Sequence, residues 1–202
     1  MNQINFINKP VLVGDRIILR PFESKDIDDM IKILNEPELK KLTGSVTNDN
    51  DAKKIMDEDE RIRVSEWYKT RNVQSDRLDL ATTLKDSNQI IGEVVFNEYD
   101  ELTNNVNFRA LMSQSYSNQG LGSEAIKLFV QYGFEQLNLH KISLEVFSFN
   151  PRAEHVYTKI GFKLEGIKRE DFKYNGDYID TKIYGILKSE YDLINDRSKM
   201  YE

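Results

Sequence analysis

The chain has 202 residues, a formal charge of −6, two histidines and no cysteine, a length that predicts one domain over 1–202 with a core from about 14 to 190 and short terminal extensions. The missing cysteine excludes disulfides, thiolate metal sites and cysteine nucleophiles; His140 and His155 alone argue against a histidine metal centre or triad, so no metal is expected. The acidic balance argues against a nucleic-acid partner, and the lack of a membrane-length apolar run or a signal-peptide core predicts no membrane association and a cytoplasmic setting.

The first element is "RIILRPF", Arg16–Phe22, an alternating, β-branched strand ended by Pro21. A helix follows with Ser24 as its N-cap, Ile27, Met30, Ile31 and Leu34 at helical spacing, and a stop at Pro37. The segment 50–71 reads as a second, highly charged helix. Its apolar members Ile55, Ile62, Val64, Trp67 and Tyr68 are sparse, so it should lie over the fold rather than through it. "DLATTLK", "QIIGEVVFNEYD" and "NNVNFRALM" then form an antiparallel meander with polar turns between them. A helix over Ser123–Leu137 carries Ile126, Phe129, Val130, Gly133, Phe134 and Leu137 on one stripe. In the strand "HKISLEVFSFN", Ile142, Leu144 and Val146 share a face, with Glu145 on the other. The next helix has Asn150 as cap, Pro151 at its first position and Gly161 as terminator. Two strands, "KLEGIKRE" and "DTKIYGIL", close an α+β fold with a mixed, mostly antiparallel sheet.

The stretch "SYSNQGLGSEAIKLF" places Gly120 and Gly122 directly before a patterned helix. Such a junction either shapes a tight turn or exposes first-turn amides, aligned with the helix dipole, to a phosphate. The dinucleotide version is excluded, because the preceding strand belongs to a meander and no βαβ unit follows. A nucleoside-triphosphate loop is excluded by the lack of a GK[ST] sequence.

From Arg16 to Glu190 the sequence resembles the GCN5-related N-acetyltransferase (GNAT) superfamily, in its ribosomal-protein and spermidine N-acetyltransferase branch. "SNQGLGSEA" resembles the acetyl-CoA pyrophosphate loop. "NPRAEHVYTKIGFKLEG" resembles the second signature, and "LRPFESKDIDDM" the opening strand and helix. The resemblance implies a V-shaped splay between the fourth and fifth predicted strands, with pantetheine lying in it. Backbone groups of Leu111 and Met112 would bind the pantetheine arm. Gln119, Gly120, Leu121, Gly122 and Ser123 would supply amides to the pyrophosphate, and Asn150 would bond a pantetheine amide. Tyr157 matches the family's acid, which protonates the departing thiolate; its place on the stripe with Ala153, Val156 and Ile160 also suits a core aromatic. Ser117 and Asn118 depart from the loop pattern. Asn107 stands where many relatives carry glutamate.

That last departure leaves the base open. Glu93 on the meander is the first candidate, with Glu145 and a water-mediated proton loss as alternatives. His155 lies about 200° around its helix from Tyr157 and should face solvent. His140 reads as a local hydrogen-bonding residue. The acidic run Asp57–Glu60 reads as a solvated helix face. The expected activity is transfer of acetyl from acetyl-CoA to a primary amine by direct attack in a ternary complex. The acceptor would be a protein N-terminus or a small amine such as a polyamine. The alternative, favoured by Asn107, is a catalytically weak CoA-binding regulatory module. Exposed strands and the C-terminal segment offer surfaces for a homodimer.

Overall fold

The structure, a computed structural model, describes residues 4–199. Its centre is one eight-stranded sheet in the order β1-β2-β3-β4-β5-β6-β8-β7. The strands are β1 (Leu12–Val13), β2 (Ile17–Arg20), β3 (Leu78–Leu84), β4 (Ile90–Asp100), β5 (Asn105–Met112), β6 (Lys141–Phe147), β7 (Lys163–Tyr174) and β8 (Asp177–Leu187). The added strand β1 makes the expected fourth and fifth strands β5 and β6. Every neighbouring pair is antiparallel except β5 and β6, which run parallel.

Helices cover both faces because each face is apolar. On one side lies α5 (Leu121–Glu135), whose Phe129 stacks on Phe96 of β4 at 4.0 Å between ring centroids. Helix α6 (Pro151–Ile160) adds Tyr157 to the same core. The opposite face carries α1 (Asp26–Leu34), α2 (Pro37–Leu42), the single turn α3 (Asp49–Ala52) and α4 (Glu58–Thr70). There Ile27, Met30, Ile31, Ile33, Leu39 and Tyr68 pack on Ala81 and Ile90. A final helix, α7 (Lys188–Lys199), lays Tyr191 against Phe134 at 4.9 Å.

Several local expectations are corrected. Ser24 does not cap α1: Lys25 holds the cap position without a side-chain bond. The buried Asp26 carboxylate instead accepts from the Glu23 amide at 2.7 Å and binds Arg20 at 2.7 and 2.9 Å. This buried ion pair outcompetes the serine hydroxyl because a carboxylate is the stronger acceptor. Pro37 starts a helix instead of only ending one, since a first-position proline loses no bond there. The expected helix over 50–71 is broken near Met56, and Asp57 restarts it by accepting from the Glu60 amide at 2.8 Å. The N-terminal segment joins the core through Phe6, which is buried against Tyr99.

One feature of the sheet positions the site. The β5–β6 seam consists of three residue pairs, Asn105–Asn107 against Lys141–Ser143. Beyond Asn107, β5 stays on β4 out to Met112, while β6 follows β8 out to Phe147. The two halves diverge, as the family resemblance implies. Gly92 permits the close β4–β5 approach along the diverging stretch: a Cβ there would fall 2.2 Å from the Leu111 carbonyl oxygen. Rings fill the root of the wedge, with Phe108 edge-on to Tyr157 at 6.3 Å.

Candidate active site

The divergence of β5 and β6 opens a cleft of about 690 Å³, lined from β5 by Asn107–Leu111, from β6 by Glu145–Phe147, from α6 by Tyr157, and from α4 by Trp67 and Tyr68. Glu93 and Asn150 also reach it. Both residues singled out for chemistry, Tyr157 and Glu93, therefore open on one space.

At the α5 end, Gly120 adopts φ +78°, a left-handed conformation that favours glycine, and no side chain caps the helix. The first intrahelical bond runs from the Glu124 amide to the Gly120 carbonyl. Among the described residues, the amides of Leu121, Gly122 and Ser123 are thus left for an external acceptor. The Leu121 side chain is core, so that residue has only its backbone to offer. Gly122 has a different role from Gly120: its φ is not left-handed, and an added Cβ would meet the Met112 Cγ at an ordinary 3.6 Å. Ser117 does not stand in for the family's longer side chain, because its hydroxyl turns to Gln114 at 3.3 Å. A cation arrives from elsewhere. Arg16, just before β2, donates to the Gln119 carbonyl at 2.8 Å and pairs with Glu124 at 3.0 Å. Nothing in the chain order pointed to Arg16, which is 103 residues from Gln119. Glu36, between α1 and α2, likewise accepts from the Ser113 hydroxyl at 2.5 Å and the Gln114 amide at 2.7 Å. It ties the opposite helical layer to the start of the glycine loop.

Asn150 caps α6 as expected, its Oδ1 accepting from the Ala153 amide at 3.2 Å. Tyr157 is 8% exposed, and its ring is gripped by Phe108 and Phe162. Among the described residues its hydroxyl has no hydrogen-bond partner. Burial pushes its pKa up to about 12. The ring belongs to the core, and the residue also lines the cleft.

Glu93 is half-buried on β4, opposite Leu111 of β5. Its Oε2 accepts from the Tyr68 hydroxyl at 3.0 Å. Burial, followed by the nearby Asp79 charge, raises its pKa to about 7, against the downward pull of Tyr68, Arg77 and Arg109. A carboxyl poised there can hold or release a proton near neutrality. Glu145 is engaged in an ion pair with Lys168. Asn107 is an amide engaged with Asn97 at 3.0 Å. His140 and His155 are exposed. Asp57–Glu60 serve the N-terminus of α4, where negative charge favours the helix dipole.

Beyond Glu93 the cleft is acidic. Glu98, Glu145 and Asp171 all line it and all act on the Lys168 ammonium, whose pKa is raised chiefly by its bond to Glu145. Glu98 and the neighbour of Asp171, Glu170, adopt φ +52° and +55° at irregularities in β4 and β7. Such bulges commonly re-aim side chains beside active sites. The phenyl ring of Phe147, stacked on Phe172 at 4.6 Å, walls this end.

Similarity to known proteins is consistent with this geometry. Residues 16–163 match the acetyltransferase (GNAT) domain family. An uncharacterized N-acetyltransferase, p20, of Bacillus licheniformis is 25% identical over 180 residues, covering 89% of this chain and 97% of that protein. Spermidine N(1)-acetyltransferase of Escherichia coli K12 is 35% identical over 100 residues, covering 50% of this chain and 54% of the enzyme. The crystal structure of spermidine N-acetyltransferase from Vibrio cholerae in complex with CoA and spermine superposes with a TM-score of 0.74 at 25% identity, covering 87% of this chain and 98% of that one. A splayed seam, an uncapped glycine turn and a signature helix thus occur together in a chain that belongs to the GNAT acetyltransferase family and is an N-acetyltransferase.

Proposed function

We propose that this protein transfers the acetyl group of acetyl-CoA to the primary amine of a small cationic molecule, by direct attack within a ternary complex. The observation that carries the reading is that Glu93 and Tyr157 face one cleft. When bound, acetyl-CoA supplies an acetyl group activated as a thioester. Its pyrophosphate would rest on the amides of Leu121, Gly122 and Ser123, with Gln119 and Gly120 forming the turn. The left-handed Gly120 and the uncapped helix fit an anion there. The backbone of Leu111 and Met112 would hold the pantetheine arm. That edge of β5 has no ladder partner beyond Asn107, so its peptide groups are available to a ligand. Asn150 would bond a pantetheine amide with the end of its side chain not used for capping.

Glu93, through its own oxygen or one water, takes the proton that the acceptor must lose, its pKa of about 7 setting the acid limb of the rate. Tyr157 donates to the departing sulfur. The absence of cysteine is consistent with attack by the amine itself rather than a thioester on the protein. The acidic side chains at this end of the cleft, Glu98, Glu145 and Asp171, favour a cationic acceptor. The spermidine relatives agree with that choice.

The test is release of free thiol from acetyl-CoA over a panel of small amines and N-terminal peptides, comparing wild type with Glu93→Gln and Tyr157→Phe. Turnover on a small amine that falls in both variants is expected. Tight CoA binding with no turnover on any amine would favour the regulatory-module alternative instead.

A further inference from the structure

The base just proposed sits among groups contributed by four elements. Tyr68 comes from the last turn of α4 and Asp79 from β3, Arg77 from the segment before β3 and Arg109 from β5. Arg77 is spent on Asp79, which it binds through two nitrogens at 2.7 and 2.6 Å. The Arg109 side chain makes no hydrogen bond among the described residues and acts on Glu93 only through its charge. Tyr68 makes the one direct contact: its hydroxyl donates to Glu93 Oε2 at 3.0 Å.

The tyrosine is itself held in place. It is 4% exposed, and its ring lies against Phe22 at 4.9 Å. The preceding Trp67 is covered by the Arg71 guanidinium at 3.5 Å, which steadies the turn that carries it. Its hydroxyl cannot readily give up its proton, because burial and the Glu93 charge push its pKa well above the ordinary 10.0. It therefore remains a donor around neutrality.

From this geometry we infer that Tyr68 is a positioning residue for the base, pinning Oε2 of Glu93 so that Oε1 alone is left to receive the acceptor's proton. A phenol that donates to a carboxylate favours its ionised form. It also fixes which oxygen is occupied and which is open. The sparse apolar content of α4 thereby acquires a purpose. The helix lies over the sheet chiefly to deliver this one buried ring, while Ile55 before it and Ile62 within it remain largely exposed.

This inference rests on Glu93 being the base, and the test separates the two claims. The pH dependence of kcat is measured with one amine acceptor for wild type, Tyr68→Phe, Glu93→Gln and the double variant, with a thermal melt of each. In wild type an acid limb near pH 7 is expected from Glu93. Tyr68→Phe keeps the ring and its packing and removes only the donor. Its limb should move up by about one pH unit, lowering kcat at pH 7 by about fivefold and recovering at high pH, with KM little changed. The double variant should be no slower than Glu93→Gln alone.

If the limb survives in Glu93→Gln, Glu93 is not the base and both claims fall. If Glu93→Gln abolishes the limb but Tyr68→Phe leaves it in place, only the positioning role is lost. A loss in Tyr68→Phe that is equal at all pH values, accompanied by a lower melting temperature, assigns the tyrosine to packing and also overturns the inference.

Discussion

Replacing Tyr157 by phenylalanine separates chemistry from architecture unusually well, because of what the hydroxyl does not touch. The ring is fixed by Phe108 at 6.3 Å and Phe162 at 5.8 Å, contacts that phenylalanine keeps. The hydroxyl has no partner among the described residues, so its removal strands no buried donor or acceptor, and stability should change by less than about 1 kcal/mol. The kinetic effect follows from the raised pKa. A phenol at about 12 is a much weaker acid than an ordinary thiol at about 8.5, so complete proton transfer to the released thiolate would be uphill by about 5 kcal/mol. The useful contribution is then a hydrogen bond to the charge developing on sulfur, about 1.5–3 kcal/mol. That corresponds to a fall in kcat of about 10- to 150-fold. Steady-state thiol release at saturating acetyl-CoA measures kcat, and calorimetry with CoA measures ground-state binding, which should be unchanged. A fall of less than threefold, or an equal loss in CoA affinity, would refute the reasoning.

Glu93 makes a second, opposite-signed prediction. Its folded pKa, about 7, lies above the ordinary 4.5, so between those values the folded state binds more protons than the unfolded one. Stability therefore falls as pH rises through this window, by about 3 kcal/mol when complete. Glu93→Gln should flatten that slope and be the more stable protein at pH 8, as urea melts at pH 5 and 8 would show. Gly120→Ala should cost roughly 1–2 kcal/mol for its left-handed backbone and raise the Kd for CoA by about tenfold or more, measured by calorimetry. Gly122→Ala should leave thermal stability near wild type, because its position is helical and roomy. Asp26→Ala removes the two-point partner of the buried Arg20 guanidinium, leaving it Glu23 at 3.6 Å, and should lower unfolding free energy by about 3 kcal/mol in denaturant titrations.

Much of this architecture was legible in the chain because the signals were local. The α6 punctuation of Asn150, Pro151 and Gly161 holds because capping chemistry acts within a turn. The apolar stripe of α5 marks its buried face for the same reason. Where competition is decided by distant groups, local signals fail. Ser24 loses the start of α1 to a carboxylate drawn inward by Arg20, on the strand before it. The break in the charged segment at Met56 was hidden because Asp57 reads equally well as one more exposed helical acid. The C-terminal helix α7 was missed because its apolar residues are few and Leu193 remains exposed. In the site, the glycine loop and Tyr157 were carried by motif. Arg16 beside the loop, Glu36 beneath it and Tyr68 against Glu93 were invisible: each meets its partner across 25 to 108 residues of chain.

The three-rung seam between β5 and β6 also makes the fold answerable to its ligand. To either side lie two well-knitted plates, one running from β1 to β5 and the other from β6 to β7. Whatever fills the gap touches both plates at once and serves as mortar between them. At one hundred times its dissociation constant such a ligand adds about 2.7 kcal/mol to the unfolding free energy. For the acetyl-CoA proposed above, donor binding and fold stability would then be one linked equilibrium.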